Sequence, residues 1–222
     1  MEIRHLTVGM IETNCYLLCD EKSGLCALID PGDEAGRIIR AVEDSGCTPR
    51  AILLTHGHYD HTGAVENLLR RWPGLPVYLN QADTPAGGAA KGLFPPLPET
   101  VSYGEGDTVT LGSLTVEVLS TPGHSKGSVT LRCEDALFTG DTLFADDCGR
   151  TDLRGGDMNE MLRSLGRLGR LPGDYHVLPG HMEFSTLDRE RRVNPWLNRG
   201  MALADGETAE AKNVPARDNG VL

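Results

Sequence analysis

Basic residues are scarce in this chain. Its 222 residues carry 21 Lys and Arg against 32 Asp and Glu, a formal net charge of −11. Gripping a phosphate backbone takes clustered positive charge, so nucleic acid is not expected as a partner. Long apolar runs are missing too. None approaches the roughly 20 residues of a membrane-spanning helix, and no basic segment followed by an apolar one opens the chain. The expectation is a cytoplasmic protein that does not engage a membrane. The six cysteines contain no C-x-x-C pair and do not read as a disulfide framework. Cys15, Cys19 and Cys26 lie in apolar, strand-like sequence and read as small buried hydrophobes. No G-x-S-x-G turn is present, so no serine nucleophile of that kind is expected. No Pro/Gly/Ser linker or internal repeat divides the chain, which reads as one domain over 1–201 followed by a poorly ordered tail over 202–222, where apolar content falls.

Histidine is also rare, yet three of the seven fall together in Thr55-His56-Gly57-His58-Tyr59-Asp60-His61. This segment follows Ala51-Ile52-Leu53-Leu54, a short apolar run of the kind that forms a buried strand. On extended backbone, residues two apart point the same way, so His56 and His58 can converge on one metal ion. Asp60 and His61, where a helix begins, can aim at a second. Imidazole nitrogen and carboxylate oxygen are ligands of zinc, iron and manganese. Three further segments repeat the pattern of a polar residue beside a glycine just after an apolar stretch. They are Thr121-Pro122-Gly123-His124, Thr139-Gly140-Asp141 and Pro179-Gly180-His181. A metal site assembled at several strand ends has this form. His5 and His176 lie outside these motifs.

Apolar periodicity predicts strands at 2–8, 13–19, 25–29, 50–54, 76–79, 107–111, 114–119, 128–133, 135–139 and 175–178. It predicts helices at 34–45, capped by Asp33 and Gly46, at 61–72, over the run after the Asp157 cap, and at 186–197. Residues 84–100 read as a long irregular loop around Phe94, a candidate wall for the active site. The alternation of strand and helix indicates an α/β or α+β fold.

In order along the chain, T-H-x-H-x-D-H, T-P-G-H, T-G-D and P-G-H resemble the motifs of the metallo-β-lactamase superfamily, over roughly 1–195. Within it the chain is most similar to glyoxalase II-type hydrolases, with Asn14-Cys15-Tyr16 and Ile29-Asp30-Pro31-Gly32 adding to the likeness. The resemblance implies a four-layer αβ/βα sandwich. It implies His56, His58 and His124 at one metal, Asp60, His61 and His181 at a second, and Asp141 bridging them, with Asp30 orienting a ligand. Asp60 and Asp141 would be catalytic. The cofactors would be two divalent transition-metal ions, zinc first, with iron or manganese as alternatives. The implied activity is hydrolysis of a small-molecule thioester of the hydroxyacylglutathione kind. Arg150 occupies the position of a basic residue that binds the glycine carboxylate of glutathione, and Phe144 lies in the same substrate loop. Two departures stand out. Asp152 replaces a family tyrosine, and about forty residues follow His181 where glyoxalase II has a helical domain. The segment Cys148 to Asp157 instead resembles a shorter bacterial glyoxalase II-like group. Cys148 lies near the site without reading as a ligand. The alternatives are a mononuclear iron persulfide dioxygenase of the same fold, using His56, His124 and Asp141, or a hydrolase of another ester or lactone.

Overall fold

The computed structural model of the chain describes residues 1–88, 92–95, 97 and 99–212. Strand β1 (Glu2–Val8) pairs antiparallel with β2 (Thr13–Asp20), and β2 with β3 (Leu25–Ile29). Helix α1 (Ala35–Ser45) then crosses to β4 (Thr48–Leu53), which runs parallel to β3. Every residue of β2 is buried, because its two faces meet two different cores. Tyr16 and Leu18 point into one, while Cys15, Leu17 and Cys19 point into the other. The same alternation separates Ala51 and Leu53 from Ile52 and Leu54 in and after β4, the period-2 pattern of a strand buried on both sides.

Helices α2 (Tyr59–Thr62) and α3 (Val65–Arg71) follow, then β5 (Val77–Leu79) and β6 (Val101–Ser102), which complete a six-stranded sheet in the order β1 to β6. The second sheet begins with β7 (Thr108–Leu111), β8 (Leu114–Ser120), β9 (Val129–Cys133) and β10 (Ala136–Gly140), all antiparallel. A small hairpin of β11 (Leu143–Phe144) and β12 (Asp147–Cys148) precedes α4 (Met158–Gly169). Strand β13 (His176–Pro179) then adds parallel to β10, and β14 (Ser185–Thr186) closes that edge, before α5 (Leu187–Val193) and α6 (Pro195–Lys212).

Tyr16, Leu53, Val116, Leu131 and Phe138 fill the space between the sheets. Ile38, Val42 and Leu68 bring α1 and α3 onto the outer face of the first sheet, and Met161, Leu165, Leu187 and Leu197 bring α4, α5 and α6 onto the outer face of the second. The result is the expected αβ/βα sandwich.

Several local expectations change. The helix expected over 61–72 is split into α2 and α3, because the Ala64 N–H donates to the Pro31 carbonyl. Glu34, in left-handed backbone, caps α1 without a side-chain bond, and Asp33 instead accepts the Glu34 N–H at 2.6 Å. Asp157 does cap α4, accepting from Asn159 N and Glu160 N. The helix expected over 186–197 is two helices, and α6 runs through 202–212, where a tail was expected. It docks on α4 by close backbone approach: a Cβ on Gly200 would lie 2.3 Å from the Leu162 carbonyl oxygen. Residues 213–222 lie outside the described residues.

Candidate metal centre

The C-terminal ends of parallel strands are where open α/β sheets carry their sites, and both sheets point such ends at one edge. Beyond β3 lies Asp30, beyond β4 the segment His56 to His61, beyond β8 His124, beyond β10 Asp141 and beyond β13 His181. Three sets of donors are compact: His56, His58 and His124; His56, His61 and Asp141; and Asp60, His61 and His181, with the donor atoms of each set within 4.8 Å of one another. All seven residues named from the sequence therefore meet. Gly180 lets the last strand approach, since a Cβ there would lie 2.3 Å from Asp141 Oδ1.

Most of the rings are held from outside. His61 Nδ1 is 3.0 Å from Asp30 Oδ2, His124 Nδ1 is 2.8 Å from the Arg150 carbonyl oxygen, and His181 Nδ1 is 3.1 Å from the Ile11 carbonyl oxygen. Each leaves Nε2 to face the cluster, the arrangement by which outer partners fix an imidazole's tautomer and aim. Asp30 sits at φ 49°, left-handed backbone that aspartate tolerates, and also accepts the Thr55 N–H at 2.7 Å and the Thr55 hydroxyl at 2.6 Å. His58 presents Nδ1 instead, 2.8 Å from His124 Nε2.

Four atoms here are buried without a hydrogen-bond partner: His56 Nε2, His58 Nε2, His61 Nε2 and Asp141 Oδ1. A buried polar atom left unsatisfied costs about 1–3 kcal/mol. A cluster of them, made of imidazole and carboxylate, fits divalent cations. Two of the imidazoles are held neutral. Burial, with the nearby His61, keeps His56 well below the usual imidazole range, and burial with His124 pushes His58 down to about 4, so both offer lone pairs. Burial opposes charge on His61 as well, yet Asp141 and Asp30 raise it well above the usual value. Asp60 and Asp141 stay ionised despite burial, held by His181 and His61 in the first case and by His61 in the second.

A cleft of about 580 Å³ opens on the cluster. Phe144, Leu93, Ile11 and Met182 supply apolar wall, with Cys148 and Arg150 beside them. Arg150 is paired with Asp152 through two bonds of 2.7 and 2.8 Å. Cys148 is packed among Leu143 and Leu165, and burial pushes its thiol up to about 12. Phe94 is buried against His58, ring centroids 4.6 Å apart, so the 84–100 loop walls the site there; its residues 89–91, 96 and 98 lie outside the described residues. His5, outside the motifs, is tied to the site at one remove. It bonds Asn14 Oδ1 at 2.7 Å, and Asn14 Nδ2 donates to the Pro179 and Met182 carbonyls on either side of His181. Asp83, which no motif flags, is buried between the ligand loops.

The Metallo-beta-lactamase superfamily model matches residues 8–181. Hydroxyacylglutathione hydrolase GloC of Haemophilus influenzae is 33% identical over 218 residues, 89% of this chain and 99% of that one. The crystal structure of BLEG-1 B3 metallo-beta-lactamase gives a TM-score of 0.79 at 34% identity, covering 88% of this chain and 99% of its own. TTHA1623 in a di-iron-bound form gives 0.75 at 37% identity, covering 87% and 99%. A family match over most of the chain, on a sandwich whose edge gathers these donors, leads to one conclusion: the chain belongs to the metallo-beta-lactamase superfamily and is a metallo-hydrolase.

Proposed function

We propose that the cleft is the active site of a hydrolase that holds two divalent transition-metal ions and cleaves thioesters of the hydroxyacylglutathione kind. His56, His58 and His124 hold one ion, Asp60, His61 and His181 the other, and Asp141 lies between. One observation carries this reading. Asp141 Oδ1 is 3.4 Å from His61 Nε2 and its Oδ2 is 3.4 Å from His124 Nε2, so a single buried carboxylate addresses both groups. The likeness to a protein solved with two irons supports the count, and the likeness to GloC supports the substrate. Zinc, iron and manganese all suit these donors.

When bound, such ions would lower the pKa of a water toward neutrality and polarise a carbonyl. The chain's own groups do the rest. Asp60 Oδ2, already an acceptor within 3.5 Å of the Thr13 hydroxyl, takes a hydrogen bond from the attacking water and aims its lone pair. Asp30 keeps His61 in the tautomer that turns Nε2 inward. The leaving thiolate has a conjugate acid of pKa about 8.5, so its departure needs no proton donor. Phe144 packs on the substrate, and Arg150 meets the carboxylate of the thiol half by exchanging Asp152 for it.

Metal analysis and a substrate panel test the reading. Metal-replete protein should carry two ions per chain and hydrolyse S-D-lactoylglutathione, with activity lost on chelation. One iron per chain with oxygen uptake would replace the reading with a persulfide dioxygenase. Turnover of a β-lactam without any thioester would keep the two-metal hydrolase and remove its proposed substrate.

A further inference from the structure

Asp83 is 2% exposed and ends a short 3-10 turn, Gln81–Asp83, directly after β5. Its Oδ2 accepts the Gly57 N–H at 3.0 Å and the Ser125 hydroxyl at 2.6 Å, and its Oδ1 accepts the Gly127 N–H at 2.7 Å. Gly57 stands between His56 and His58. Ser125 follows His124 directly, and Gly127 lies three residues after it. One carboxylate thus grips both loops that deliver the first group of imidazoles, through bonds to backbone and to a hydroxyl. The glycines admit it. A Cβ on Gly127 would lie 2.6 Å from Asp83 Cγ, and one on Gly57 would lie 2.8 Å from the Asp83 carbonyl oxygen.

We infer that Asp83 is a positioning residue for the first ion: it sets the spacing between the His56–His58 loop and the His124 loop, and so the fit of three imidazoles around one metal. This rests on the two-metal reading above. The grip is specific to two acceptor oxygens. Asparagine keeps the size but offers one acceptor and one NH2. Whichever way that amide turns, its NH2 faces the N–H of Gly57 or of Gly127, and a buried backbone donor loses its acceptor. The loops then separate or twist, and the three rings no longer converge.

Zinc affinity of Asp83→Asn, measured by competition with a chromophoric chelator, tests this together with the visible spectrum of the cobalt-substituted protein. One of the two ions should bind roughly 10–100-fold more weakly, the usual effect of losing an outer partner. The cobalt bands should shift. The same loss should fall on the single ion retained when Asp60→Asn is added. Ser125→Ala removes one bond and leaves both backbone bonds, so it should show a smaller loss in the same direction. A role confined to general stability would lower the melting temperature of the metal-free protein and leave cobalt spectrum and zinc affinity as in wild type. That result overturns the inference. Should Asp83→Asn not fold, Ser125→Ala decides on the same readouts, and wild-type values there overturn it. Wild-type protein that binds no zinc would overturn the two-metal reading as well. Wild-type protein with two ions, beside an indistinguishable Asp83→Asn, overturns this inference alone.

Discussion

The two ligand groups are built on opposite principles. His56, His58 and His124 are imidazole only, at 1%, 4% and 3% exposure, and burial keeps His56 and His58 below the usual imidazole range. The second group mixes imidazole with carboxylate and opens on the cleft, with side-chain exposures of 12% for Asp60 and 18% for His181. Burial works against charge on His181 too, but Asp60 and Asp141 raise its pKa. The first group is the more sealed of the two, although His58 and His124 also line the cleft, and depends on geometry. The second is negative, wetter and depends on charge. Their supports differ likewise: Asp83 holds the first through backbone, and Asp30 holds the second through the ring of His61. On the proposed reading, one edge of the sandwich would make two metal sites of unequal affinity from nearly the same residue types. The sealed group should hold its ion longer.

Asp141 stands 3.4 Å from a ring of each group and is proposed to serve both, so its loss should be the most damaging. Asp141→Asn keeps size and removes the shared charge. At least one ion should be lost and kcat should fall by roughly a thousandfold, the scale of removing a major electrostatic element, with far-UV circular dichroism unchanged. Wild-type metal content and turnover in this variant would remove Asp141 from between the groups.

Asp60→Asn should separate the groups. It takes charge from the second only, so metal content should drop from two ions to one while the sealed group keeps its own. Turnover should fall by about a hundredfold. Loss of both ions would mean that the groups are not independent.

Asp30→Asn is subtler. The acceptor of the His61 Nδ1–H weakens, and affinity for the second ion should fall roughly 10–100-fold while the first is unaffected. Equal weakening of both ions would show that Asp30 acts through its bonds to Thr55, beside His56, rather than through His61.

The smallest effects belong to the cleft wall. Arg150 and Asp152 are 62% and 69% exposed, so their attraction is screened by solvent and weak. Arg150→Ala should therefore raise KM for an anionic thioester by only about threefold to tenfold, with kcat nearly constant, the pattern of lost uniform binding. Asp152→Asn should lower that KM by freeing the guanidinium. A rise instead would make the pair structural. His176, 65% exposed and paired only loosely with Asp135 at 3.8 Å, is the control, and His176→Gln should leave metal content unaltered.

The seven candidate ligands were legible because they combine a rare residue type with a repeated context, an apolar strand followed by a glycine-bearing turn. The central strands were legible because both faces are apolar. Asp83 was not, since its partners are the N–H groups of two glycines and a serine hydroxyl, which leave no residue pattern. Helix α6 was missed for a related reason: beside Leu197 and Met201 it meets α4 at Gly200 and Gly166, and glycines add nothing to a 3.6 period. Strands β6, β11, β12 and β14 span two residues each, too few to show alternation. His5 stands outside every motif, yet its bond to Asn14 links it to the His181 loop, a contact across paired strands that spacing cannot reveal.

Stepwise removal of metal from wild-type protein tests the central claim most directly. Metal per chain and thioester turnover would be followed together as chelator is added. Two ions of unequal affinity predict two phases: the second-group ion leaves first and takes turnover with it, while one ion stays on the sealed imidazoles until much higher chelator. A single phase that begins from one ion per chain would contradict the account.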